Sequence, residues 1–301
     1  MTKSRSILST SVGENQGVFG TRDWVNFLAV SLIWGASFLF IDIGLDAFEP
    51  GVITWIRVAS GAAVLALIPK SRTPIDREDL PRILVLSLVW VAIPFTLFPL
   101  AQQWINSAVA GMLNGGMPIF AAIIATLMLR TPPRGLHRAG LLIGFAGVVA
   151  ISLPSIGESS SQAIGVALVL AAVACYGLAV NIAAPIQQRY GSLPVMMRML
   201  AFASLWTLPY ALIGLPDSSW AWPSFLAVEA AGSIGTGVAF VVMGWLVGSV
   251  GSTRASFSTY VIPVVALILG VVFRNDTVAP IALLGTVLVI TGAVLASRRE
   301  V

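Results

Sequence analysis

The chain has 301 residues, of which 57% are hydrophobic and 10% charged, less than half the charged fraction of an ordinary soluble domain. Its formal charge of +4 comes from basic residues in short segments between apolar runs, with no basic patch interleaved with aromatics, so it is no nucleic-acid signature. One cysteine, Cys175, excludes an internal disulfide and a thiolate metal cluster.

Ten apolar runs follow a polar start, at about 24–43, 51–69, 83–100, 108–129, 139–153, 165–184, 195–215, 222–247, 255–273 and 278–296. A helix crosses a hydrocarbon core of roughly 30 Å with about 20 apolar residues. Most runs reach that length, and run 5 is the shortest. Residues 1–23 read as a cytoplasmic tail with no cleaved signal peptide. Of the 17 Lys and Arg, 14 lie before run 1, after runs 2, 4, 6 and 8, or after run 10. Only Arg274 falls in the alternate gaps, and Arg57 and Arg198 lie inside runs. The positive-inside bias then puts both termini in the cytoplasm, with segments 44–49, 102–106, 154–162 and 216–219 outside.

Polar groups within the runs are few, and each is costly in hydrocarbon. Run 1 carries Trp34 and, near its outer end, Asp42. Run 2 carries Arg57 seven residues past Pro50, and run 8 carries Glu229 seven residues past Trp222. At 1.5 Å per residue both lie about 10 Å below the outer interface, which permits an ion pair, with Asp42 as a rival partner. Arg57 could equally be a structural lock or snorkel outward along its stem. Run 3 has Trp90, and run 4 has Asn114-Gly115-Gly116 before Pro118. A proline inside a membrane helix frees a carbonyl and opens a kink, while the glycines could serve only close packing. Tyr176 lies in run 6, and Arg198, near the inner start of run 7, reads as snorkelling to lipid phosphates. Run 9 places Ser256, Thr259 and Tyr260 before Pro263; its hydroxyls could instead bond back one turn. Trp24, Trp104, Trp220 and Trp222 sit at run ends as interfacial anchors.

The chain also repeats itself. Residues 107–152 lie over 252–297 at a constant offset of 145, with nine of 46 positions identical, among them Pro118 with Pro263, Gly140 with Gly285 and Gly147 with Gly292. Trp34-Gly35 and Tyr176-Gly177 echo each other between runs 1 and 6. Five is odd, so the second unit enters the membrane inverted, a construction in which the site lies near the midplane between the units.

The segment Leu32-Ile33-Trp34-Gly35-Ala36-Ser37-Phe38, Arg57 after Pro50, and the two proline-led repeats resemble the EamA-like members of the drug/metabolite transporter superfamily. Within that superfamily the chain is similar to YddG-type exporters of amino acids, particularly aromatic ones. It departs from the family in lacking a Gly-Glu pair after runs 4 and 9, and Arg198, only four residues after Pro194, is not in register with Arg57.

The expectation is an all-α membrane protein of ten transmembrane helices in two inverted five-helix repeats, 24–153 and 163–297, after the tail 1–23. Its expected function is secondary transport, by alternating access, that exports small organic metabolites, amino acids foremost, across a bacterial inner membrane. A channel-like or facilitative pore is the alternative. An intramembrane enzyme is disfavoured: the only histidine, His137, lies in a basic loop, and no nucleophile elbow or paired carboxylates occur in the runs. Expected substrate contacts are Asn114, Thr259, Trp34, Tyr176, Ser256, Tyr260 and Trp90, with Arg57, Glu229 and Asp42 as ion-pair or coupling groups and Pro118 and Pro263 as hinges. Neutral amides, hydroxyls and freed carbonyls are expected to hold a zwitterionic substrate. The expected partners are that small-molecule substrate and membrane lipid, with no cofactor, metal or nucleic acid, in a monomer or weak homodimer.

Overall fold

The computed structural model describes residues 20–129, 135–250 and 255–296. Most of the expected tail, Arg130, Arg134, Arg254, Arg298 and Arg299, and the side chains of Ser256 and His137 lie outside what is described. Among the described residues ten apolar helices follow in order: α1 Thr21–Leu45, α2 Pro50–Ala66, α3 Arg77–Ala101, α4 Ser107–Met128, α5 Gly135–Glu158, α6 Ser160–Tyr190, α7 Ser192–Gly214, α8 Trp222–Val247, α9 Phe257–Arg274 and α10 Pro280–Ala296. Among the described residues there is no strand. Large aliphatic side chains point outward all along the bundle, as with Leu127, Leu142, Ile213 and Val272, which suits a hydrocarbon surround and not water.

Two expectations about length are corrected. Run 5 looked shortest, yet α5 has 24 residues, whereas α2 and α10 have 17 each. The expected loop 154–162 shrinks to Ser159 alone: the helix continues through Pro154, and Ser159 then caps α6, accepting from the Gln162 N–H at 3.2 Å. A proline removes its own N–H bond and crowds the carbonyl four residues back, yet a membrane helix can bend and continue through it. The join between α6 and α7 is a single residue, Gly191, at φ 81°, a conformation open to glycine at little cost.

The repeat read from the sequence becomes a seam. α5 and α10 pack antiparallel so closely that a Cβ on Gly147 would lie 2.6 Å from the Gly285 carbonyl oxygen, and one on Gly292 would lie 2.6 Å from that of Gly140. Gly140 and Gly285 are repeat mates, as are Gly147 and Gly292, so each glycine meets the mate of the other. That self-complementary pattern is what a two-fold relation imposes, and small residues are what permit such an approach in a membrane. The interior forms two main clusters, one around Phe38, Ile53, Phe98, Met112 and Val289, the other around Leu65, Leu86, Phe95, Met196 and Met199. Tyr176 packs against both.

Candidate functional site

Two kinds of irregularity recur at matching positions of the two halves. α4 breaks at Gly115-Gly116, between segments Ser107–Asn114 and Met117–Leu129. α9 breaks at Val261, between the 3₁₀ turn Ser256–Tyr260 and the segment Ile262–Arg274. Met117 and Ile262 are repeat mates, so Pro118 and Pro263 each sit second in a restarting helix. The prolines therefore begin new segments, where a missing N–H is harmless, and the discontinuity lies just before them. α3 and α8 each contain one π-helical stretch, Ser87–Ala92 and Ser233–Val238, 146 residues apart, within one residue of the same offset. Such stretches leave backbone groups outside the regular ladder and concentrate at functional sites.

The broken helices cross at their breaks. The backbone of Gly115 lies directly against the Pro263 ring, and Gly111 against Ala266. α1 meets α9 where Gly35 faces Val265, and α6 meets α4 where Gly177 faces Phe120 and Ala121; Val265 and Phe120 are repeat mates. Polar groups from α1 and α6 satisfy backbone at these crossings. Ser31 Oγ donates to the Ser258 carbonyl at 3.1 Å, and Asn181 Nδ2 to the Ala121 carbonyl at 3.0 Å.

Arg57 of α2 lies buried between α3 and α8, with its guanidinium 4.1 Å above the Phe95 ring. Its Nε donates to Thr236 Oγ1 at 3.4 Å. The Thr236 hydroxyl donates in turn to the Ala231 carbonyl, five residues back, at 3.1 Å, a partner that the π-helical stretch supplies. Phe98, one turn below Phe95, stacks on Tyr176 at 6.0 Å and meets Phe38 edge-on at 5.4 Å. Pro99 leaves the Phe95 carbonyl without its helical donor, and the Thr54 hydroxyl lies 3.1 Å from it, so the proline is tolerated in α3.

The end of the bundle that carries Arg274 is tied shut by contacts between the halves. Arg274 forms ion pairs with Asp42 and, through a two-pronged contact at 2.8 and 2.9 Å, with Asp46. Asp276 accepts from Ser107 Oγ at 2.8 Å and from the Ala108 N–H at 2.9 Å, at the start of α4. Ser224 Oγ donates to the Ile43 carbonyl at 2.8 Å. Beside this closure lies a polar cleft of about 510 Å³ lined by Trp104, Asn106, Ser155, Glu158, Gln162 and Thr277. The two segments of α4 differ in burial: 107–113 are all buried, whereas of 117–128 only Ile119 is. At the opposite, basic end, Arg189 pairs with Asp76 at 2.6 Å and Asp79 at 2.8 Å, and the Tyr190 hydroxyl lies 2.8 Å from each carboxylate.

The structure distributes the expected site residues unevenly. Asn114 ends the first segment of α4, half-buried, with no hydrogen-bond partner among the described residues. Thr259 is half-buried at the matching point of α9. Tyr260 turns away, donating from its hydroxyl to the Ala293 carbonyl of α10 at 3.1 Å. Trp34 meets Phe240 edge-on at 6.0 Å, and Trp90 lies within the π-helical stretch of α3. Arg57 and Glu229 do not pair: Glu229 Oε1 accepts from Ser233 Oγ one turn on, and Asp42 is taken by Arg274. Equal depth did not bring the first two together because Arg57 turns inward to Thr236, and snorkelling outward is likewise overturned. Arg198 reaches the carbonyls of Ser71 and Pro194 at 3.3 and 3.2 Å, holding α7 to the turn after α2. Thr236, Phe95 and Phe98 went unnoticed in the sequence. Only the Ser233-Ile234-Gly235-Thr236-Gly237 stretch, polar and glycine-rich inside an apolar run, could have signalled one of them.

Ten apolar helices, paired discontinuities and an interior polar cluster define a multi-pass membrane protein of the transporter type. The chain belongs to the EamA-like transporter family, which matches residues 24–153 and 163–298, and hence to the drug/metabolite transporter superfamily. It is 24% identical over 288 residues to the "Uncharacterized transporter YoaV" of Bacillus subtilis (strain 168), covering 92% of this chain and 98% of that one. It is 26% identical over 277 residues to the "Uncharacterized inner membrane transporter YedA" of Escherichia coli (strain K12), covering 89% and 88%. A third relative, the "Probable terminal-alkyne amino-acid exporter" of Streptantibioticus cattleyicolor, is 24% identical over 284 residues, covering 92% and 93%. A solved crystal structure shares the fold, with a TM-score of 0.61 at 20% identity over 91% of this chain and 96% of its own.

Proposed function

We propose that the protein is a secondary transporter that exports small organic metabolites, amino acids foremost, across a bacterial inner membrane by alternating access. The observation that carries this reading is the matched pair of breaks in α4 and α9, which pack on each other at Gly115 and Pro263. Discontinuous helices at corresponding positions of two halves are where transporters place substrate and pivot. Asn114 and Thr259 stand one turn before the two prolines and serve as neutral substrate contacts, with Trp34, Trp90 and Tyr176 as aromatic surface. The units 24–153 and 163–297 rock about the glycine seam. With both termini cytoplasmic, the Arg274 end is the outer one, and its closure by ion pairs leaves the opposite end as the side from which substrate enters. The relative whose name carries amino-acid export favours that substrate class.

The test is counterflow in proteoliposomes loaded with labelled amino acids and nucleobases. The proposal expects at least one amino acid to exchange faster than in protein-free vesicles. Exchange confined to nucleobases would overturn the substrate class, and no exchange of any solute would overturn the transport reading.

A further inference from the structure

We infer that Arg57 is an anion subsite that receives the carboxylate of the transported molecule, while the aromatic residues around it receive the apolar part. The inference rests on the transporter reading and names the substrate chemistry for the same interior site.

The first ground is electrostatic isolation. Arg189 and Arg274, at the two ends of the bundle, each hold two carboxylates, whereas among the described residues no carboxylate lies within ion-pair distance of Arg57, which is 8% exposed. A buried charge without a partner is expensive, and a structural arginine placed there would be expected to bring its own counter-ion. Glu229 and Asp42, the carboxylates best placed by depth, are engaged elsewhere. An incoming anion is the remaining way to neutralise the site.

The second ground is the unused fork. Of the guanidinium nitrogens only Nε has a hydrogen-bond partner among the described residues, Thr236 Oγ1, and the two terminal nitrogens have none there. Thr236 is itself fixed by its bond to Ala231, so it orients the guanidinium by one edge and leaves the other edge free. Two parallel N–H donors at the terminal nitrogens match a carboxylate in a two-pronged contact. Phe95 beneath the guanidinium holds its plane without supplying negative charge that an anion would have to displace.

The third ground is aromatic: Phe95 faces the guanidinium, and Phe98 follows it one turn on in α3. Tyr176 of α6 stacks on the buried Phe98, and Trp34 of α1 meets Phe240 of α8; Tyr176, Trp34 and Phe240 are half-buried rings. A flat or branched apolar group attached to a carboxylate fits both features. This replaces the expectation that neutral groups alone would hold a charged substrate end. Arg57 holds the carboxylate, leaving Asn114 and Thr259 for the remaining polar groups.

The experiment measures the thermal stability of the detergent-purified protein with four probes of one shape: 3-phenylpropionate, phenylalanine, phenylalaninamide and phenethylamine. The two carboxylates are expected to raise the melting temperature, and the amide and amine are not. In Arg57→Gln the carboxylate affinities should fall about ten- to hundredfold, the effect of losing a charge-assisted hydrogen-bonded pair. Arg57→Lys keeps the charge without the fork and should give an intermediate loss, a gradation that a packing role would not produce. Equal stabilisation by acid and amide, no stabilisation by either acid, or carboxylate affinity unchanged in Arg57→Lys would each overturn the assignment. If Arg57→Gln fails to yield monodisperse protein, the wild-type probe series and Arg57→Lys decide. A protein that exchanges amines or neutral solutes in vesicles but fails here keeps the transporter reading and loses the Arg57 subsite. One that binds the acids but moves nothing keeps the subsite and loses transport.

Discussion

The α5–α10 seam lends itself to a quantitative test, Gly292→Ala. The added Cβ would lie 2.5 Å from Gly144 Cα and 2.6 Å from the Gly140 carbonyl oxygen. Both are backbone atoms of a helix, with no rotamer to turn aside. Restoring ordinary contact near 3.5 Å requires the helices to part by roughly 1 Å, a gap that forfeits up to about half of each dispersion contact along the seam. Overpacking of this kind costs about 1–3 kcal/mol. Gly157→Ala in α5 is the matched control, because a Cβ there meets nothing within 4 Å and keeps the roughly 0.8–1 kcal/mol helix preference of alanine over glycine. At 2–4 °C per kcal/mol, Gly292→Ala should melt roughly 2–12 °C below Gly157→Ala, read as loss of the monodisperse peak in detergent after heating. Adding Gly140→Ala should cost less than its single effect, since the seam is already open. Equal melting of Gly292→Ala and Gly157→Ala would refute the reasoning.

Orientation can be checked with cysteines at Ser159 and Lys70 in a Cys175→Ala background: impermeant maleimide on intact cells should label residue 159 and spare residue 70, and the reverse would invert the topology. Arg274→Gln removes the pairs with Asp42 and Asp46; half-exposed pairs worth about 0.5–1 kcal/mol each should speed labelling of Ala110→Cys, in the buried segment of α4, by about tenfold, and an unchanged rate would show that this end is not held by the latch. Asn114→Leu and Thr259→Val should each weaken binding of the transported solute by roughly five- to hundredfold, the loss of one hydrogen bond at about 1–3 kcal/mol; unchanged kinetics in both would place the site elsewhere. Should uptake depend on a proton gradient, Glu229→Gln should abolish that dependence, and its survival would assign coupling to another group.

Local chemistry was enough to reveal the ten helices, because twenty apolar residues in a row have one low-energy solution in a bilayer. Pro118 with Pro263 and the paired glycines were legible too, since backbone-determining residues repeat when backbones repeat. Helix ends were less legible: α5 runs on through Pro154 to Glu158, where a proline and a polar stretch read as a loop. Partners within the membrane were the least legible. Depth along two helices placed Arg57 and Glu229 level, but level residues meet only if both helices turn the right faces to each other. Those rotations are set by contacts far apart in sequence, such as Gly232 seated against the backbone of Arg57 and the π-helical stretch that aims Thr236. An extra residue in a helical turn costs little and leaves no clear mark on composition, yet it rotates everything beyond it. The residues around Arg57, and the absence of any carboxylate within ion-pair distance among the described residues, were therefore decided only by the packing of α2, α3, α6 and α8.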